Sequence, residues 1–392
     1  MSIDVARARA ETPGCTGVLH FNNAGAALMP APVLETQIAH LRREAAIGGY
    51  EAKDEAAARL EAVYGSIAGL IGARAEEIAL VENATVAWNL AFHAFRFGPG
   101  DRILTAEAEY ASNYISFLQL AERSGVVVEA VPSDEAGELD VAALEARLDE
   151  RVRLIAVTHV PTNGGLVNPA EAIGAVARRH GVPFLLDACQ SVGQLEIDVE
   201  RIGCDLLSAT GRKYLRGPRG TGFLYVRRAI LDRLEPPFLD LHSARWVAPD
   251  RYEMRADARR FENWEFNIAG LLGLGAAVDH ALGWGMPAIA LRIAALAAEL
   301  RARLAEIPGV TLRDLGRQPC GIVTFTLEGR EATALRDALR AQAINVSVSG
   351  PGSTLLDATR RRLPDLVRAS VHYYNDESEI ARFCGVLREL VR

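Results

Sequence analysis

The chain has 392 residues, 49% of them hydrophobic and 24% charged, with a formal net charge of −7 and a pI near 5.7. This is globular composition with material for a sizeable core and roughly two domains, and its acidic balance argues against a broad nucleic-acid or anionic-membrane surface. The five cysteines (Cys15, Cys189, Cys204, Cys320, Cys384) are scattered with no CxxC, so neither disulfides nor a metal site is expected, and a reduced, cytoplasmic setting is.

The chain starts with MSIDVARARAETPG, which lacks the apolar core of a signal peptide. His20 to Pro30 follows, where Asn22, Asn23 and Gly25 suit a turn and Pro30 to Pro32 a helix start. A charged helix is expected from about Pro32 to Ala46, then Gly48-Gly49-Tyr50. Strand candidates come next: Glu77–Val81, Arg102–Ala106, Val126–Val131, Arg153–Val160, Val182–Leu186, Asp205–Ala209 and Gly222–Val226. Helix-period stretches such as Ala170 to His180 lie between most of them. That alternation predicts an α/β fold with a mainly parallel sheet. Only Thr210 to Thr221 joins the last two strands, with glycines, a proline and no helix pattern. A parallel crossover needs a dozen or more residues, usually helical, so Gly222–Val226 is expected to run antiparallel.

After Pro236-Pro237 a small-residue helix runs from Ile268 to Leu282. Its apolar run, Ile268 to Val278, is shorter than the ~20 residues a membrane helix needs. Ile289, Ile293, Leu296, Leu300, Leu304 and Ile307 then mark one face of a long helix that Pro308-Gly309 ends. Short strands (Thr311–Leu315, Ile322–Leu327, Asn345–Ser349, Arg368–Tyr373) alternate with two amphipathic helices. They read as a smaller α+β domain with an antiparallel sheet. The expected organisation is an N-terminal segment near the active site over 1–30, a large domain over 31–283 and a small C-terminal domain over 284–392.

The chemistry concentrates between Asp187 and Gly222. The Val182–Leu186 strand ends in Asp187, Gln190 follows, and Lys213 sits in a small polar turn 26 residues past the acid. Gly217, Pro218, Gly220 and Gly222 let the backbone turn tightly beyond it. An acid at a strand end and a lysine at a strand-to-loop boundary suit pyridoxal 5'-phosphate (PLP). The lysine holds the aldehyde as a Schiff base, and the acid keeps the pyridine nitrogen protonated. Glu82-Asn83-Ala84-Thr85 offers the phosphate a capped helix start.

These residues resemble the class V aminotransferase and cysteine desulfurase family of fold type I PLP enzymes, over nearly the whole chain. The resemblance implies a seven-stranded mainly parallel mixed sheet with helices on both faces, and a homodimer with sites at the interface. It also carries roles onto residues. Ala84, Thr85, Thr210 and Arg212 are expected at the phosphate, Asp187 at the ring nitrogen and Gln190 at the ring oxygen. Tyr110 stands where the family has a histidine stacked on the ring. An asparagine reaches the cofactor near Thr162-Asn163; the register gives Thr162, and Asn163 is chosen as the better donor. Arg368 matches the arginine for the substrate carboxylate, whose planar fork binds it bidentately, and Asn23 and Gly25 lie in a stretch close to substrate. Arg216 and Arg219 are alternative anion contacts. Trp264-Glu265 replaces a glycine–threonine pair that reaches the partner's phosphate.

Departures from the family bear on the reaction. Desulfurases carry a sulfur-accepting cysteine before the arginine strand, and Asn345 to Ser353 contains none. Gly48 to Ala52 resembles the matching stretch of hercynylcysteine sulfoxide lyases. The expected activity is a β-eliminating lyase acting on a C–S bond of an α-amino acid, with Lys213 as the proton carrier. An aminotransferase and an isopenicillin N epimerase-like epimerase need the same residues. Outside enzymes, a silent PLP-fold binding protein is the alternative that intact Asp187, Gln190, Lys213 and Arg368 oppose.

Overall fold

In the computed structural model, which describes residues 2–391, seven segments rich in Ile, Leu and Val pair into one sheet. They are β1 (Ile78–Val81), β2 (Arg102–Ala106), β3 (Val127–Val131), β4 (Val152–Thr158), β5 (Phe184–Asp187), β6 (Leu206–Thr210) and β7 (Gly222–Val226). Each matches an expected strand with ends shifted by at most two residues. Their spatial order is β1-β7-β6-β5-β4-β2-β3. The strands from β2 to β6 run parallel, whereas β7 is antiparallel to both β1 and β6. The short link after β6 thus reverses the chain, as its length requires.

Side chains alternate across the pleat. Phe184 and Leu186 enter one apolar cluster and Leu185 the other; Leu207 and Ala209 enter the first and Leu206 the second. All six are fully buried, so the strands read as apolar runs because both faces are covered. On one face lie α1 (Ala84–Phe92) and α2 (Ala111–Ser124). Phe92 meets Phe117 edge-on, with ring centroids 5.2 Å apart. On the other, the helix Ile268–Trp284 contributes Leu271, Leu274 and Val278. No single helix among the described residues is long and apolar enough to cross a membrane.

A hairpin, β8 (Ala244–Ala248) and β9 (Arg251–Met254), pairs Trp246 with Tyr252 on an exposed surface. A second, antiparallel sheet joins β10 (Val310–Leu312), β11 (Ile322–Leu327), β12 (Ser347–Ser349) and β13 (Leu366–Ser370) in the order β10-β11-β13-β12. The expected strand Asn345–Ser349 is split. Ile344 and Asn345 pair in parallel with Leu19 and His20, and only Ser347 onward joins the sheet. The N-terminal segment is thereby stitched to late sequence, and Asn22 bridges to Ser370.

Candidate active site

The carboxyl ends of β4, β5 and β6 and the amino end of α1 open onto one cavity of about 540 Å³. Ligands of parallel α/β sheets bind at this edge. Thr158 ends β4, Asp187 ends β5 and Thr210 ends β6, and all three line the cavity. Lys213 reaches it from the turn after β6. That turn is closed by Gly211 N–H donating to Thr221 O (2.9 Å) and Gly217 N–H to Gly211 O (2.8 Å). Gly193, with φ +93°, lies so close beneath it that a Cβ would stand 2.4 Å from the Tyr214 carbonyl carbon.

Asp187 is 5% exposed. Its Oδ2 accepts from Asn113 Nδ2 (2.9 Å) and its Oδ1 from the Cys189 N–H (2.9 Å). Burial lifts its carboxyl above the ordinary range, and these two donors and the Lys213 ammonium only partly oppose that. A positively charged N–H placed against it would relieve the penalty. Gln190 also lines the cavity; its Nε2 donates to Ala24 O (3.1 Å), and its buried Oε1 has no partner.

The opposite end suits an anion. Asn83 caps α1 by accepting from Val86 N–H (3.0 Å). Ala84 and Thr85, the first residues of α1, line the cavity, where first-turn N–H groups have no helical acceptor. Thr210 Oγ1 donates to Thr221 O at 3.3 Å, and Arg212 and Arg219 add positive charge. Gly222 keeps this end narrow, since a Cβ there would lie 2.5 Å from Ala209 O and 3.0 Å from Asn83 C. An acid at one end, an anion cradle at the other, a lysine between them and an orphaned amide oxygen fit PLP.

Tyr110 caps α2 and lines the cavity with 37% of its surface exposed. Four expectations need correction. Asn163 does not line the cavity: its Nδ2 donates to Gly350 O (3.2 Å) and Thr354 Oγ1 (3.0 Å), and the neighbouring Thr162 lines the wall instead. Asn23 is fully buried away from it, donating to Ser370 O (2.7 Å) and accepting from Tyr374 OH (2.5 Å). Gly25 contributes a carbonyl to the Arg212 guanidinium and no wall of the cavity. Arg216 is no anion contact. It is 2% exposed and bonded to Leu28 O, Tyr373 OH and Thr12 Oγ1, with its guanidinium 4.4 Å from the Tyr374 ring centroid.

Arg368 stands just behind the wall. Its Nη1 donates to Thr162 Oγ1 (2.5 Å) and its Nε to Ser347 Oγ (3.0 Å), and no carboxylate pairs with it among the described residues. Asn113, Thr158 and Cys189, which the sequence did not single out for the site, also line the cavity. Glu109 lies in the loop before α2 and Asn113 in the first turn of that helix, and nothing in their spacing marks them for the site. Cys189 is held against Lys213 and Asp187, and burial raises its thiol pKa.

Comparison with known proteins agrees with this geometry. The aminotransferase class-V family model matches residues 19–383. A probable cysteine desulfurase of Methanothermobacter thermautotrophicus is 31% identical over 388 residues, covering 97% of each chain. A probable cysteine desulfurase of Xylella fastidiosa is 32% identical, covering 94% of this chain and 90% of its own. Among solved structures, the apo cysteine desulfurase of Thermococcus onnurineus superposes with a TM-score of 0.91 at 29% identity, covering 100% of this chain and 98% of the other. The cystine C–S lyase C-DES, in complex with its product cysteine persulfide, gives 0.86 at 25% identity, covering 96% and 99%. A family match this long, over a cavity lined by Asp187, Gln190 and Lys213, identifies the chain as a member of the class-V aminotransferase family, an enzyme that uses pyridoxal phosphate.

Proposed function

We propose that the protein is a C–S lyase that β-eliminates a sulfur leaving group from a cysteine-type α-amino acid. The observation that carries this reading is the absence of a sulfur nucleophile where a desulfurase presents one. Residues 345–353 contain no cysteine. Cys189, the one cysteine lining the cavity among the described residues, has its thiol pKa raised by burial, with the neighbouring Lys213 opposing the shift. The similarity to the cystine C–S lyase C-DES supports the same reading.

Pyridoxal phosphate held in this cavity would supply an electron-withdrawing ring that acidifies the substrate Cα–H. The protein's own groups do the rest. Lys213 Nζ holds the cofactor, then takes the α-proton and returns protons. Asp187 keeps a proton on the ring nitrogen. Arg368 orients the substrate carboxylate, with Thr162 between it and the cavity. Overall, R–S–CH₂–CH(NH₃⁺)–COO⁻ and water give R–SH, pyruvate and ammonium.

The working assembly in this reading is a homodimer. Phe238, Trp246, Tyr252 and Trp264 are exposed, and the groove beside Phe238 shares Glu82, Thr85 and Val86 with the main cavity. A partner covering that groove would close the site. Five free cysteines favour a reducing, cytoplasmic compartment.

The test mixes the holoenzyme with cysteine, cystine, cysteine conjugates and their sulfoxides, without a keto-acid acceptor. Repeated release of pyruvate and ammonia supports the lyase and names the leaving group. One equivalent of keto acid per site would make it a transaminase, and solvent deuterium at Cα without product would make it an epimerase.

A further inference from the structure

Two buried carboxyl groups share one amide at the wall of the cavity. Asn113 Nδ2 donates to Glu109 Oε1 (2.8 Å) and to Asp187 Oδ2 (2.9 Å). An amide nitrogen carries two hydrogens, so each carboxyl takes one and the plane of the amide is fixed. Glu109 is 2% exposed. It also accepts from Tyr110 N–H (2.9 Å), Thr158 N–H (2.9 Å), Thr105 Oγ1 (3.0 Å) and Thr158 Oγ1. Those donors come from β2, the loop before α2, and β4, so the side chain is held from three directions.

No cation lies within 4 Å of Glu109 among the described residues. The charged group facing it is Asp187, of like sign, at the end of β5; Lys213 faces Asp187 from beyond β6. Nothing in the elimination chemistry uses Glu109. A buried acid that makes five hydrogen bonds and no ion pair is costly unless a positive charge arrives nearby. The nearest place for one is the cavity side of Asp187.

We infer that Glu109 is a positioning residue for the cofactor's ring nitrogen. Through Asn113 it fixes the direction of the Asp187 carboxylate, and it places behind that carboxylate a second acid whose ionised form a positive charge at the ring nitrogen would favour. Both effects favour a protonated, cationic ring nitrogen over a neutral one. The inference concerns the ring nitrogen alone, so it predicts nothing for a cofactor that lacks this atom.

That prediction makes it testable without turnover. Apoenzyme is titrated by fluorescence with PLP and with 1-deazapyridoxal phosphate, in which C–H replaces the ring nitrogen. Wild type, Glu109→Gln, Asn113→Ala and Asp187→Ala are compared. Glu109→Gln should weaken PLP about tenfold, the loss expected from a buried charge-assisted contact, and leave the deaza analogue within about twofold. Asn113→Ala severs the link while Glu109 keeps its other bonds, and should show the same selective loss if Glu109→Gln does not fold. Equal losses for both ligands would reduce Glu109 to a packing role and overturn the inference, as would no loss for either. Asp187→Ala separates the two levels. Selective loss in Asp187→Ala alone overturns the part assigned to Glu109 and leaves the cofactor assignment standing.

Discussion

Arg368 reaches across 206 positions of sequence to donate from Nη1 to Thr162 Oγ1 at 2.5 Å, and no acid balances its charge. Burial, with Arg212 adding to it, holds its pKa below the ordinary arginine value, and Tyr214 and Tyr110 oppose the shift. A guanidinium desolvated without a counter-ion is primed to receive one. Arg368→Ala should raise KM for α-amino acids by roughly 10- to 100-fold, the worth of a charged hydrogen-bonded pair. KM for amines lacking the carboxylate should change little. Initial rates on both substrate classes check this, and equal effects would remove the carboxylate assignment.

Lys213→Ala should cut kcat by at least ~10³-fold, because the same amine serves as acid and base. The protein should still take up PLP through Asp187 and the start of α1. Borohydride reduction followed by intact mass measurement should find no covalent adduct in the variant and one per chain in the wild type. Adduct at another lysine would move the assignment.

Thr162→Ala and Asn163→Ala should separate cleanly. Asn163 lies in the structure of the loop, bonded to Gly350 and Thr354, so its loss should cost about 1–3 kcal/mol of stability and leave PLP affinity unchanged. Thr162→Ala should leave Tm nearly unchanged and raise KM through Arg368. Thermal melts and cofactor titrations decide it.

The cofactor-free protein should lose stability as pH rises from about 5 to 7. Burial lifts Glu109 from 4.5 to about 7, with Asp187 adding to the shift and the surrounding donors opposing it. A carboxyl whose folded pKa exceeds its unfolded pKa binds more protons when folded. Its contribution is therefore full below the unfolded value and is lost as pH climbs through the folded one. Urea unfolding of apoenzyme across this range should show the decline, and Glu109→Gln should flatten it. A wild-type profile that rises through this range and is matched by the variant would contradict the buried-acid reading.

Much of this site could be read in the residues because its chemistry is local. Asp187 ends an apolar strand and Lys213 lies in the turn after the next one, so both follow from hydrophobic pattern and turn composition. The short link from Thr210 to Thr221 carried the reversal of β7 in its length. Asn163 was misplaced because one residue of register in a loop turns a side chain from one wall to the other. Arg216 read as an anion contact because its partners, at positions 12, 28 and 373, are remote in sequence. Glu109 and Asn113 read as an ordinary helix start; their meaning depends on Asp187, 74 residues beyond Asn113.

The stitching of the N-terminal segment to late sequence has a consequence for synthesis. Phe21 N–H donates to Asn345 O (2.9 Å) and Ser370 N–H to Phe21 O (2.7 Å), and the His20–Asn345 contact spans 325 residues. At ribosomal speeds this interval lasts roughly 16–65 s. Throughout it the segment that later supplies the Ala24 carbonyl to Gln190 and the Gly25 carbonyl to Arg212 has no strand to pair with. A nascent chain can display Asp187 and Lys213 long before it holds them in place, so secure cofactor loading waits until residues 345–370 have been made.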